Sequence, residues 1–349
     1  MTERTLRQPA ELVAAGLAPP EREAEIAAVA RRFAVAVTPE MAALVEPGAA
    51  EDPIGRQFVP SAGELDVAPE ELADPIGDHR FAPVKGIVHR YPDRVLLKPS
   101  HACAVYCRFC FRREQVGPGS DSLDPAELAA ALDYIRARPE IWEVILTGGD
   151  PFLLSPRRIA AIVRALDAMP QLGVIRFHTR VPIVEPRRVG PALLRALAAE
   201  KAVYVAIHAN HPRELTEAAK AACRRLAGAG IPLLGQSVLL KGVNDDAATL
   251  EALFRGLVAA RVKPYYLHHP DLARGTAAFR PSLAEGRALM RALRGRVSGL
   301  CQPSYVLDLP GGHGKVPVGP CYAVADEGGG WTIEDPWGGH HPYPPRTKG

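Results

Sequence analysis

With 349 residues, 47% of them hydrophobic and 23% charged, the chain has the balance of a soluble globular protein and room for one barrel-sized domain or two smaller ones. A net charge of +3 is too small to call for nucleic acid or an anionic membrane as partner, and no run approaches the roughly 18 apolar residues of a membrane span. Six cysteines, three of them in one short stretch, are unlike a secreted disulfide framework. With no apolar leader in Met1–Pro20, free thiolates point to a reducing compartment, the cytoplasm.

Taken in order, residues 1–80 read as helical pieces broken by proline: Glu21–Val35 and Pro39–Val45 have helical spacing, and the segment from Pro47 to Pro83 looks irregular. This N-terminal helical extension carries no catalytic constellation and reads as a cap or an oligomer contact. Then the rhythm changes. A short β-type run, Arg94–Leu97, leads into a cysteine loop. After it come a helix at Pro125–Arg138 and a strand at Trp142–Thr147, a helix at Pro156–Met169 and a strand at Val174–His178. The pattern continues with a helix at Pro191–Ala199, a strand at Ala202–His208, a helix at Glu214–Ala229 and a strand at Leu233–Val238. A helix at Asp246–Ala260, a strand at Val262–His268 and a helix at Ser282–Gly295 complete it. Six β-then-α units predict an α/β fold with a parallel sheet, a partial (β/α)6 TIM-like barrel over residues 81–300. Polar residues fall just after the strands: the cysteines, Gly148-Gly149-Asp150, Arg180, His208, Gln236 and Asp271. Chemistry gathered at strand C-terminal ends is the habit of such barrels. In residues 301–349 a strand enters the glycine-rich turn before Lys315; Val316–Val324 and Gly330–Ile333 predict a small β appendage, and the tail from Pro336 reads as mobile, with His340 and His341 solvated.

The most informative stretch is Cys103-Ala-Val-Tyr-Cys107-Arg-Phe-Cys110, spaced C-x₃-C-x₂-C with no fourth cysteine near. Three thiolates would hold a four-iron cluster and leave one iron open. The residues alone leave zinc, or plain proximity, as alternatives, although structural zinc wants four ligands. Lys315 after Gly311-Gly-His-Gly suggests a phosphate loop, but Leu309 and Val316 stand where that motif needs glycine and serine or threonine. A surface lysine on a turn is the remaining alternative.

C-x₃-C-x₂-C after the first barrel strand resembles the radical S-adenosylmethionine superfamily, in which the open iron binds S-adenosylmethionine and the reduced cluster cleaves it to a 5′-deoxyadenosyl radical. Gly148-Gly149-Asp150 is similar to that superfamily's motif for the methionine amino group. Cys107-Arg-Phe-Cys-Phe-Arg-Arg, His208-Ala-Asn-His-Pro, Gln236-Ser-Val-Leu-Leu-Lys-Gly-Val-Asn-Asp, Arg261-Val-Lys-Pro-Tyr-Tyr and Asp308-Leu-Pro-Gly-Gly-His-Gly-Lys-Val-Pro-Val resemble the lysine 2,3-aminomutase family, over about residues 75–325. The resemblance implies a [4Fe-4S] cluster on Cys103, Cys107 and Cys110, S-adenosylmethionine against His208 and Gln236, and pyridoxal 5′-phosphate on Lys315 with its phosphate at Arg90 and Arg94. It places the substrate carboxylate at Arg112 and the far ammonium of L-lysine at Asp271 and Asp308. A buried ammonium needs opposite charge beside it, which two carboxylates provide.

The expected activity is therefore conversion of L-lysine to β-lysine. Another amino acid as substrate, or a non-catalytic iron–sulfur carrier or sensor, are the alternatives. Longer members of the family bind zinc between subunits through further cysteines; Asp246 stands at one such position, so no structural zinc is expected. The short form is similar to the branch that supplies β-lysine for modifying elongation factor P, although members of that branch often lack the second aspartate, here Asp308. An electron donor such as flavodoxin or ferredoxin, and assembly as a homo-oligomer, are implied by resemblance.

Overall fold

Proline and small capping side chains set where the helices begin. The computed structural model describes residues 4–46, 51–117, 121–327 and 329–344. The extension holds α1 (Pro9–Ala14), α2 (Glu23–Ala30), α3 (Pro39–Ala42) and α4 (Pro53–Phe58), and the barrel region holds α5 (Pro125–Arg136), α6 (Pro156–Asp167), α7 (Val181–Val184), α8 (Pro191–Ala196), α9 (Glu217–Gly228), α10 (Ala247–Ala259) and α11 (Leu283–Leu293). Asp124, Ser155, Thr216, Asp246 and Ser282 each accept a backbone N–H of the first turn of α5, α6, α9, α10 and α11. Such caps satisfy donors that the helix cannot. Asp246 thus has a local structural role. No helix among the described residues is long and apolar enough to cross a membrane.

Nine strands form one sheet in chain order: β1 (Ile87–Tyr91), β2 (Arg94–Ser100), β3 (Glu143–Gly148), β4 (Val174–Thr179), β5 (Ala202–His208), β6 (Leu233–Val238), β7 (Val262–His268), β8 (Ser304–Leu309) and β9 (Gly314–Pro317). Strands β2 to β8 run parallel; β1 and β9 turn back antiparallel at the two edges. The six β-then-α units stand as expected, and the strand before the glycine-rich turn joins them as a seventh parallel strand. The core is shared: Leu12, Ile26 and Phe58 of the extension pack in the same apolar cluster as Leu146, Phe177 and Leu253 of the barrel.

Four expectations need correction. The stretch from Pro47 to Pro83, read as irregular, contains α4 at Pro53–Phe58, which Asp52 caps by accepting from Gly55 N. The helix read at Glu21–Val35 stops at Ala30, because the chain then turns to present its carbonyls to the cysteine loop. Val316 and Pro317 lie in β9 of the large sheet, and the appendage consists of β10 (Ala323–Ala325), β11 (Trp331–Glu334) and β12 (His340–Tyr343). The tail is therefore paired as far as Tyr343; His341 lies 2.7 Å from Asp335. Residues 345–349 of that tail lie outside the described residues.

Candidate active site

Side chains alternate across a strand, so every second residue of the parallel strands faces the barrel interior. Thr147, His178, His208, Gln236, His268 and Asp308 share that inner face with Lys315 of β9, around a cavity of about 890 Å³. Cys103, Cys107, Cys110, Arg90, Arg94, Arg112, Gly148, Gly149, Asp150 and Asp271 also line it. The residues that the resemblance assigns to cluster, cofactors and substrate thus border one space.

At one end lies the cysteine loop. Gly148 and Gly149 hold it to β3 at backbone distance: a Cβ on Gly149 would meet Ala102 O at 2.2 Å, and Gly148, at φ +103, would meet Ser100 O at 2.9 Å. Side chains are excluded there. Asp150 points away from the cavity centre into the wall. It accepts from Thr179 Oγ1 and Arg180 N, both at 2.7 Å, and from Phe152 N and Val181 N. Burial nonetheless holds its carboxyl above the usual range, against these hydrogen bonds. Burial, then Cys110, raises the Cys103 thiol well above its usual range, and Cys110 is pushed up to about 11 by burial and Cys107. Thiols buried in this way, Cys103 and Cys110, resist ionising until a cation sits beside them.

At the other end, Lys315 Nζ donates to Asp308 Oδ2 at 2.5 Å and to His268 Nδ1 at 3.1 Å. Burial, then Lys315, holds His268 well below the usual histidine range, so its ring is neutral. His208 is pushed down to about 3 by burial and Arg180. Asp271 is pushed up to about 7 by burial and by Asp308, against Lys315, Arg112 and Arg90.

Asp78, which the sequence reading missed, organises the cations between these ends. Its buried carboxylate accepts from Arg112 Nε at 2.9 Å, lies 3.4 Å from Arg90 Nη2 and 3.7 Å from Lys98 Nζ. Burial alone would raise its carboxyl; Arg112, Lys98 and Arg90 together bring it below the usual range. Arg94 sits at the rim, paired with Asp93 at 2.7 Å and stacked 3.8 Å over the Tyr91 ring. Arg90 Nε, His178 Nε2 and Arg180 Nε are buried without a hydrogen-bond partner, and buried polar atoms left so are costly unless something polar arrives.

Residues 97–253 match the family profile described as the radical SAM superfamily. With the barrel and the three-cysteine loop, this defines a radical S-adenosylmethionine enzyme. Residues 290–329 match the profile described as lysine-2,3-aminomutase. The chain is 40% identical over 305 residues to the L-lysine 2,3-aminomutase of Clostridium subterminale, covering 87% of this chain and 73% of that protein. It is 40% identical over 306 residues to the same-named protein of Acetoanaerobium sticklandii, covering 88% and 74%. It is 36% identical over 297 residues to the glutamate 2,3-aminomutase of Clostridioides difficile, covering 85% and 70%. The chain belongs to the lysine 2,3-aminomutase family and is an isomerase.

Membership implies an iron–sulfur cluster and S-adenosylmethionine, and the residues present fit both. Three cysteine sulfurs on one short loop at the cavity wall, two of them (Cys103 and Cys110) raised chiefly by burial, suit a cationic iron centre. The unpartnered Arg90, His178 and Arg180 nitrogens offer donors, and the cavity has the volume of a cofactor site.

Proposed function

We propose that the protein converts L-lysine to β-lysine by a 2,3-amino shift, with pyridoxal phosphate as a further cofactor. One observation carries the reading: Asp271 and Asp308 line the cavity that the cysteine loop closes, and Asp308 already holds an ammonium, that of Lys315, at 2.5 Å.

When bound, the cluster with S-adenosylmethionine supplies a carbon-centred radical, and pyridoxal phosphate supplies a conjugated ring that stabilises unpaired spin beside the migrating nitrogen. Cys103, Cys107 and Cys110 would hold the cluster, and His208 and Gln236 the nucleoside. Arg90 and Arg94 would take the phosphate, with the fork geometry that suits it. Lys315 must lose a proton before its amine can act as a nucleophile; neutral His268 Nδ1 at 3.1 Å and Asp308 Oδ2 are the bases in reach. Once Lys315 is engaged, Asp308 is released to pair with the side-chain ammonium of the substrate. Arg112 can turn from Asp78 to the substrate carboxylate, because Lys98 and Arg90 continue to balance Asp78. The barrel walls keep these groups in register and exclude water.

A relative named for glutamate raises that amino acid as a rival substrate. Its side-chain anion would face two carboxylates here, which costs affinity. The test is anaerobic incubation of the loaded protein with ¹³C-lysine or ¹³C-glutamate, followed by NMR. β-Lysine is the expected product; none from lysine, with full cluster and pyridoxal phosphate, overturns the reading, as does turnover of glutamate alone. The proposal extends to a low-potential donor such as flavodoxin or ferredoxin, a reducing compartment and a homo-oligomer, which sedimentation can check.

A further inference from the structure

Arg180 stands where the extension, the barrel and the cysteine loop meet. Its Nη1 donates to Cys107 Sγ at 2.8 Å, and its Nη2 donates to Gln57 Oε1 and Glu214 Oε2, both at 2.7 Å. The guanidinium is 6% exposed and Glu214 is wholly buried. Phe58 lies under the guanidinium at 4.7 Å and Phe109 at 5.6 Å. Gln57 does double duty: its backbone oxygen accepts from Arg108 N at 2.9 Å, inside the cysteine loop, while its side chain holds Arg180. The arginine therefore cannot swing away from the sulfur without breaking several buried hydrogen bonds.

A cation fixed beside a sulfur ligand has a definite effect on a redox centre. One-electron reduction adds a negative charge to the cluster, and a nearby positive charge in a low-dielectric wall favours the product. Hydrogen bonds to the sulfurs and net local charge are among the factors that set cluster potentials. Glu214 works against this effect, since its carboxylate lies on the far side of the same guanidinium.

We propose that Arg180 is a positioning residue that raises the reduction potential of the cluster through Cys107, with Glu214 moderating the effect and Gln57 tying it to the N-terminal extension. The proposal rests on the assignment of the cluster to the three cysteines. It goes beyond that assignment in giving the extension a part in how readily the cluster accepts its electron.

The experiment uses the full chain, reconstituted anaerobically, with iron and sulfide counted and the midpoint potential read by EPR during dithionite titration without S-adenosylmethionine. Arg180→Gln removes the charge and is expected to shift the midpoint to lower potential; Arg180→Lys shifts it less. Glu214→Gln keeps the shape, leaves the arginine uncompensated and is expected to shift the midpoint the opposite way. Opposite signs support the proposal. Unchanged midpoints with full iron, or shifts of the same sign, overturn it, because a purely structural residue has no reason to separate the two variants by sign. Should Arg180→Gln fail to take up iron, the sign for Glu214→Gln decides alone; loss of iron from both also overturns it. Wild-type protein that takes up no iron refutes the cysteine assignment instead.

Discussion

Asp271 is a carboxyl whose charge state sits at the edge of the physiological range. Burial and Asp308 push it up to about 7, so in the proposed reaction a proton competes there with the ammonium of lysine. Affinity for lysine is expected to strengthen as pH rises through about 7 and to level off above it; KM for lysine across that range reads the effect. Asp271→Asn should flatten this step and raise KM by roughly 30-fold or more, the cost of removing one partner of a buried charge pair. Stability moves the other way. Between the ordinary aspartate value and about 7 the native state keeps a proton that the unfolded chain has released, so stability falls as pH rises across that window. Asp271→Asn is therefore expected to melt at a higher temperature than wild type at alkaline pH, without added substrate. A lower melting temperature would show that Asp271 has a stabilising partner. Asp271, Asp308 and Lys315 line the same cavity and were marked in the sequence, Asp308 and Lys315 by one glycine-rich motif and Asp271 by its place just after a strand. Asp78 was not: it is one acid among several in a proline-rich segment, and its role comes only from Arg90, Lys98 and Arg112 folding around it.

At the scale of elements, the extension clamps the cysteine loop. Tyr106 N donates to Ala36 O and Arg108 N to Gln57 O, both at 2.9 Å. Arg108 Nη1 donates to Ala34 O at 2.7 Å, and Glu64 accepts from Arg108 Nε at 2.9 Å and pairs with Arg113. A carboxylate shared by two buried arginines cannot be removed cheaply. Glu64→Ala should cost about 3–5 kcal/mol, read by chemical denaturation, and should lower the iron content of the purified protein. Gly149→Ala tests the opposite side of the loop, where a methyl group would run into Ala102 O. Its expected result is loss of bound iron with little change in far-ultraviolet circular dichroism. The place of the loop after β2 was legible in the sequence; the hold that the extension has on it, beyond a cap or an oligomer contact, was not. The clamp pairs residues 44 and 49 positions apart, and periodicity carries no signal across such a separation.

At the scale of the molecule, β1 and β9 are the two edges of the sheet and are not paired with each other. They meet through side chains: Tyr91 Oη accepts from Lys315 N at 2.7 Å, and Arg90 Nη1 lies 3.8 Å from Asp308. Tyr91→Phe removes a hydrogen bond with a net value of about 1 kcal/mol. The Lys315 amide should then exchange with deuterium up to about tenfold faster, with helix amides of α6 and α9 unchanged; equal rates at Lys315 would mean that the seam does not restrain it. The six repeating units were legible because each strand and helix has its own period. The short edge strand β1, and the place of β8 and β9 within the barrel, were not, because they depend on how the sheet curls.

The seam also has a consequence in time. Tyr91 and Lys315 are 224 residues apart, and a ribosome adds roughly 5–20 residues per second. The cysteine loop and its clamp therefore emerge roughly 10–40 s before the lysine that faces them. During that interval the nascent chain presents the cysteine loop without the strand that completes the opposite wall of the pocket.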